Sequence, residues 1–111
     1  MLKINTIKMK RVVLIELAGK ADSYYALEIK KLLDQAIAEG TNQFIIDMSQ
    51  VEYLSSAVLQ QIKNTLVSCR KKAGDVRIAN PSDCVREVLM LAGLDTIFKI
   101  YPTQVEAVGS F

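Results

Sequence analysis

At 111 residues the chain has room for one core, since roughly two-thirds of the surface of an unfolded chain of this size can be buried, and one unit spanning residues 1–111 is expected. Half of the residues are hydrophobic and 23% are charged, which excludes a disordered or fibrous chain; a net charge of +2 with scattered basic residues excludes the basic stripe of a nucleic-acid binder. There is no histidine, and the only cysteines, Cys69 and Cys84, form no Cys-x-x-Cys pair, so a metal site or His-dependent catalysis would lack its usual ligand or base.

The opening MLKINTIKMK is interrupted by charges, and no later apolar run approaches the ~20 residues of a membrane span. A cytoplasmic chain with no membrane insertion is expected. Leu2, Ile4 and Ile7 suggest a first strand, and RVVLIELAG at 11–19 a second, apolar and β-branched as for a strand covered on both faces. Met9 and Lys10 between them imply a tight antiparallel connection. Asp22 or Ser23 then offers a helix N-cap, and Ala26, Ile29, Leu32, Leu33, Ala36 and Ile37 recur at helical spacing until Gly40. Tyr24 and Tyr25, being adjacent, cannot both face the core.

QFIIDMS at 43–49 has the pattern of a short buried strand, in which Asp47 is expected to bond backbone or turn a loop. After Ser55 and Ser56, a stripe of Val58, Leu59, Ile62, Leu66 and Cys69 predicts a helix. Cys69 falls on its apolar face as a core residue. Arg70, Lys71 and Lys72 form a solvated, dipole-complementing helix end, and Gly74 ends the helix. DVRIAN at 75–80 is a strand, and Pro81 with Ser82 opens a helix through Val85, Val88, Leu89 and Ala92 up to Gly93. TIFKIY at 96–101 is the last strand, and Pro102 starts a short terminal helix containing Val105 and Val108. Strands alternating with about four helices give an α/β fold whose opening hairpin makes the sheet mixed.

The two serines sit at a strand-to-helix junction. A serine oxygen there can cap the unpaired N–H groups of the first turn, and the same groups and dipole would also stabilise a phosphate. Both readings are open on local grounds. Asp22, Asp47 and Ser56 make a weak catalytic set without a base, and no Gly-rich phosphate loop points to a nucleotide or other cofactor.

Three stretches, LAGKAD at 17–22, FIIDMSQVEYLSSAVL at 44–59 and VRIANPSDCVREVLMLAGLDTIFKIYPT at 76–103, resemble the STAS domain, and within it the small single-domain anti-sigma factor antagonists of bacteria. The last stretch is the most specific, with its Asn80-Pro81-Ser82 opening and Ala92-Gly93-Leu94 close. In that family the third strand ends in a pattern like Val-x-Phe-Ile-Asp-Ser-Ser/Thr-Gly-Leu, and the serine after the aspartate is phosphorylated. The resemblance therefore puts phosphorylation on Ser56, with Ser55 as the lesser alternative, and a partner-binding surface on Asp22, Ser55, Ser56, Ala57 and Gln60. Ser55 stands in for the aspartate and Val58 for the glycine. A β-branched Val58 cannot take positive φ cheaply, so the turn must use a conformation open to ordinary residues.

The resemblance implies a binding protein and not an enzyme. Its partners would be an anti-sigma serine kinase of the histidine-kinase-like ATPase fold and a PP2C-type phosphatase. Loss of the aspartate and glycine also fits the alternative of a non-phosphorylated STAS subunit beside a transporter ATPase or in a signalling scaffold.

Overall fold

The computed structural model describes Met1–Phe111. Strands β1 (Leu2–Lys8), β2 (Val13–Ala21), β3 (Gln43–Leu54), β4 (Asp75–Ala79) and β5 (Lys99–Tyr101) lie side by side in chain order. β1 and β2 are antiparallel and the other pairings are parallel. The hairpin closes tightly, Met9 N donating to Val12 O at 2.8 Å. The parallel pairs need crossovers, supplied by α1 (Ala26–Ala38), α2 (Ser56–Arg70) and α3 (Asp83–Leu91). A short α4 (Gln104–Gly109) closes the chain. The mixed α/β fold with four helices is the expected one.

Alternation along the strands sends two sets of side chains to opposite faces. Val13, Ile15 and Leu17 of β2 with Phe44, Ile46 and Met48 of β3 form the larger core, joined by Ile29 and Leu33 of α1, Val58, Ile62 and Leu66 of α2, and Val85 and Leu89 of α3. Leu14, Ile45 and Ala79 face the other way and are covered by Ala107 of α4. The β2 and β3 runs are nearly all apolar because helices cover both faces there.

Several expected boundaries move. β3 runs five residues past Ser49, because β2 continues to Ala21 and pairs with it through two register shifts, ending at Ala21 opposite Leu54. The last strand loses its first half: Leu94–Thr96 is a 3₁₀ turn, and Phe98 N donates to Leu94 O at 3.0 Å. The terminal helix starts at Gln104, capped by Thr103 and not by Pro102; Val108 packs inward while Val105 is exposed.

The end of α2 differs most. Ala73, with φ 61°, takes the left-handed conformation, whereas Gly74 is needed for close approach, since a Cβ there would overlap the Asn42 carbonyl oxygen. Nor is Arg70 merely a solvated helix end. Its Nε pairs with Asp75 Oδ1 at 3.0 Å and its other guanidinium arm donates to Ile97 O at 2.7 Å. Arg77 takes Asp75 Oδ2 at 3.0 Å, donates to Ser110 Oγ at 2.6 Å and lies 3.9 Å from the centre of the Phe111 ring. One buried carboxylate thus ties α2, β4 and the C-terminus together.

Candidate functional site

Because β2 and β3 are parallel, the residues that follow them leave the sheet at the same edge. Ser55 N donates to Ala21 O at 2.9 Å, which draws the β3–α2 junction against the end of β2, where Asp22 stands. Asp22 and the two serines are therefore neighbours, but Ser55, expected on the partner-binding surface, is buried and is not part of an exposed face.

Within the junction the two serines have different positions. Ser55 is the N-cap of α2: its backbone is extended (φ −76°, ψ 155°) and its Oγ accepts from Val58 N at 3.2 Å, while its carbonyl accepts from Leu59 N at 3.0 Å. It is also buried, so its hydroxyl is committed to the helix. Ser56 is the first residue of α2 and is exposed. One turn on, Gln60 is exposed on the same side and donates to Asn64 Oδ1 at 2.9 Å, and Ala57 is half-buried. Val58 lies inside α2 with its side chain wholly buried and no positive φ, so this turn needs no glycine.

A shallow hollow of about 200 Å³ lies beside Ser56, lined also by Leu59, Gln60, Lys63, Ala92 and Leu94. Of these, sequence reasoning put only Ser56 and Gln60 in the site, gave Leu59 as core, and missed the last three as site residues. Lys63 was detectable, seven residues from Ser56 on one helix; Ala92 and Leu94 come to the hollow only through the packing of α3.

Asp22 Oδ1 accepts from Tyr24 N at 3.0 Å, capping the 3₁₀ turn Ser23–Tyr25. Of the two tyrosines, Tyr25 turns in and its hydroxyl accepts from Leu2 N at 3.1 Å, while Tyr24 stays exposed, its ring edge-on to the Tyr25 ring with centroids 5.2 Å apart.

Asp47 is not part of this surface. It pairs in register with Glu16 on the α4 side of the sheet. Gln104 Nε2 donates to both carboxylates, at 2.6 Å to Asp47 and 2.8 Å to Glu16, and Asp47 Oδ1 also accepts from Ser49 N at 2.9 Å. The backbone bond is the expected one, and the bridge to α4 was not foreseen. The Asp22–Asp47–Ser56 set is thus not assembled, and no group of three Cys, Asp or Glu side chains is arranged to hold a metal ion. Burial, reinforced by Asp75, pushes the Cys69 thiol from 9.0 up to about 11, with Lys72 acting weakly in the opposite sense. Cys69 is therefore an inert core thiol.

The STAS domain family model matches residues 3–107. This chain belongs to the STAS family. A relative from Thermotoga maritima, provisionally named an anti-sigma factor antagonist, is 36% identical over 78 residues, covering 70% of this chain and 69% of the relative. The crystal structure of a Thermotoga maritima protein, also provisionally named an anti-sigma factor antagonist, is similar with a TM-score of 0.90 at 30% identity, over 96% of this chain and 92% of that one. SpoIIAA, solved unphosphorylated, shares the fold with a TM-score of 0.86 at 22% identity, over 96% of this chain and 93% of that one. Its phosphorylated form, from Bacillus, gives 0.80 at 22% identity, over 97% and 98%. No helix of this STAS domain is long and apolar enough to cross a membrane.

Proposed function

We propose that this STAS domain is an anti-sigma factor antagonist of the cytoplasm that works by partner switching, with Ser56 as the phosphorylated residue. The observation that carries the reading is the division of labour at α2. Ser55 is buried and spends its hydroxyl on the cap, while Ser56 presents a free hydroxyl to solvent at the first turn. Ser55 thereby provides the capping oxygen at the position where the family pattern has an aspartate.

Unphosphorylated, the surface of Asp22, Ser56, Ala57 and Gln60 docks on an anti-sigma serine kinase of the histidine-kinase-like ATPase fold, which then releases its output protein. Transfer of the ATP γ-phosphoryl group to Ser56 Oγ, with loss of the hydroxyl proton and departure of ADP, places a charge of about −1.5 to −2 in that interface. Desolvating the phosphate against a surface built for a neutral hydroxyl ejects the partner; each ~1.4 kcal/mol of penalty is a tenfold loss of affinity. A PP2C-type phosphatase resets the surface. In this scheme the chain is ligand and substrate, with no cofactor of its own.

The replacement of aspartate by Ser55 and of glycine by Val58 favours a second reading, a structural STAS subunit that is never phosphorylated. Fragmentation mass spectrometry of the tryptic peptide Leu32–Lys63 from native cells decides between the two, because it must separate Ser55 from Ser56. Phosphate on Ser56, with a partner lost on Ser56→Asp, is the expected result. A fully sampled peptide without phosphate under any condition, and a partner indifferent to Ser56→Asp, would leave the structural subunit.

A further inference from the structure

α3 ends in two large apolar side chains that the fold leaves in solvent: Met90 is 61% and Leu91 78% exposed. The helix buries Val85 and Leu89, so its inward stripe is complete without them. Their turn is an exposed apolar ridge that lines one hollow and runs directly into Ala92, which lines a second. The second is the hollow of Ser56, walled by Ala92 and Leu94, where Lys63 is the one charged lining residue. The first is a groove of about 560 Å³ with Met90, Leu91 and Ile100 as its apolar lining, and with Asp83, Glu87 and Asp95 set against a single cation, Arg86.

We propose that the partner that binds at Ser56 straddles this ridge, with Met90 and Leu91 as its apolar anchor and with its own basic side chains meeting Asp83, Glu87 and Asp95. The inference rests on the switch reading and adds where the affinity resides. Continuity is one ground, because a surface that fills the Ser56 hollow abuts Ala92 and with it the ridge. Charge is the other. A second copy of the chain joined about a twofold axis through this ridge would set its acidic rim against an identical one, which opposes self-association. A basic, apolar partner face has no such conflict. The opposite signs of the two hollows also allow one docking orientation and disfavour its reverse. Ser56 then acts as the switch, and the α3 ridge as the grip.

The test titrates the full chain into the purified anti-sigma serine kinase of the same organism by calorimetry, ATP withheld, and then follows phosphorylation of Ser56 with ATP added. Leu91→Asp should weaken binding about 100-fold and Met90→Ala about tenfold, as expected for central and lesser apolar anchors. Both should raise KM for phosphorylation with kcat unchanged, since the ridge contributes equally to ground and transition states. Val105→Asp, which alters an equally exposed side chain on α4 across the sheet, should change nothing. Glu87→Gln should flatten the salt dependence of association. Wild-type affinity in Leu91→Asp, with binding still lost in Ser56→Asp, would overturn the ridge and leave the switch standing. Failure of the wild-type chain to bind or be phosphorylated would overturn both. A wild-type dimer in sedimentation that Leu91→Asp dissolves would assign the ridge to a second copy, also against the proposal.

Discussion

The two ends of α2 are built in opposite ways. At its C-terminal end Arg70 and Arg77 share the buried Asp75 carboxylate, Cys69 is sealed in the core, and Gly74 lets the chain press against Asn42. At its N-terminal end one buried serine closes the cap with a neutral hydrogen bond, and the next residue is left to water. The fixed end holds helix, sheet and C-terminus in register, while the open end can change its charge without disturbing them. The switch proposed for Ser56 needs that separation, since a modified group that also carried packing would couple signalling to unfolding.

The comparison breaks most readily at the fixed end. Asp75→Asn removes a carboxylate that receives two guanidinium groups and leaves Arg77, whose side chain is 11% exposed, partly uncompensated. The expected loss is about 3 kcal/mol, read as a lower urea midpoint at unchanged slope. A loss under ~1 kcal/mol would mean that Ser110 and Phe111 hold Arg77 without Asp75, and that this end is less fixed than its geometry implies.

Cys69 gives a pH-dependent version of the same test. The folded state keeps a proton that the unfolded chain releases above pH 9.0, so stability from this group is fully present below about 9.0 and is lost as pH rises toward about 11. The loss should approach about 2–3 kcal/mol across that window. The measurement is the difference in pH slope between wild type and Cys69→Ala in chemical denaturation, which isolates the thiol. Equal slopes would show that the thiol is not desolvated as its burial requires.

The contrast between the ends was only half legible in the sequence. The open end was readable as a helix start because its signals are local: a hydroxyl pair after an apolar strand and a helical stripe from Val58 to Cys69. The fixed end was misread because its partners are distant or its chemistry is ambiguous. Arg70 in an RKK run looks like a solvated charge until Asp75 and the Ile97 carbonyl are brought beside it. Gly74 looks like the stop of a helix, although the left-handed residue is Ala73. The same distinction covers β3, whose expected end is Ser49 although Val51 and Tyr53 continue an alternating pattern that pairing with β2 completes to Leu54, and the Gln104 bridge between Glu16 and Asp47, which local spacing could not have revealed.

At the open end the effects are smaller and the two serines should separate. Ser55→Ala removes the cap of α2 and should cost about 1 kcal/mol, measurable by thermal or urea unfolding. A larger loss would show that Ser55 holds the junction as well as the helix.

Ser56→Ala should change stability by less than ~0.5 kcal/mol, because an exposed hydroxyl at the first helical position contributes little and alanine favours the helix slightly. The same substitution should abolish phosphate incorporation. These two readings bear on the contrast together. If Ser56→Ala proved as costly as Ser55→Ala, the hydroxyl would be sharing the cap, phosphorylation would have to break it, and every turn of the switch would loosen the start of α2. A neutral effect on unfolding with complete loss of the phosphate would instead mean that Ser55 carries the structure and Ser56 the signal, each able to change without the other.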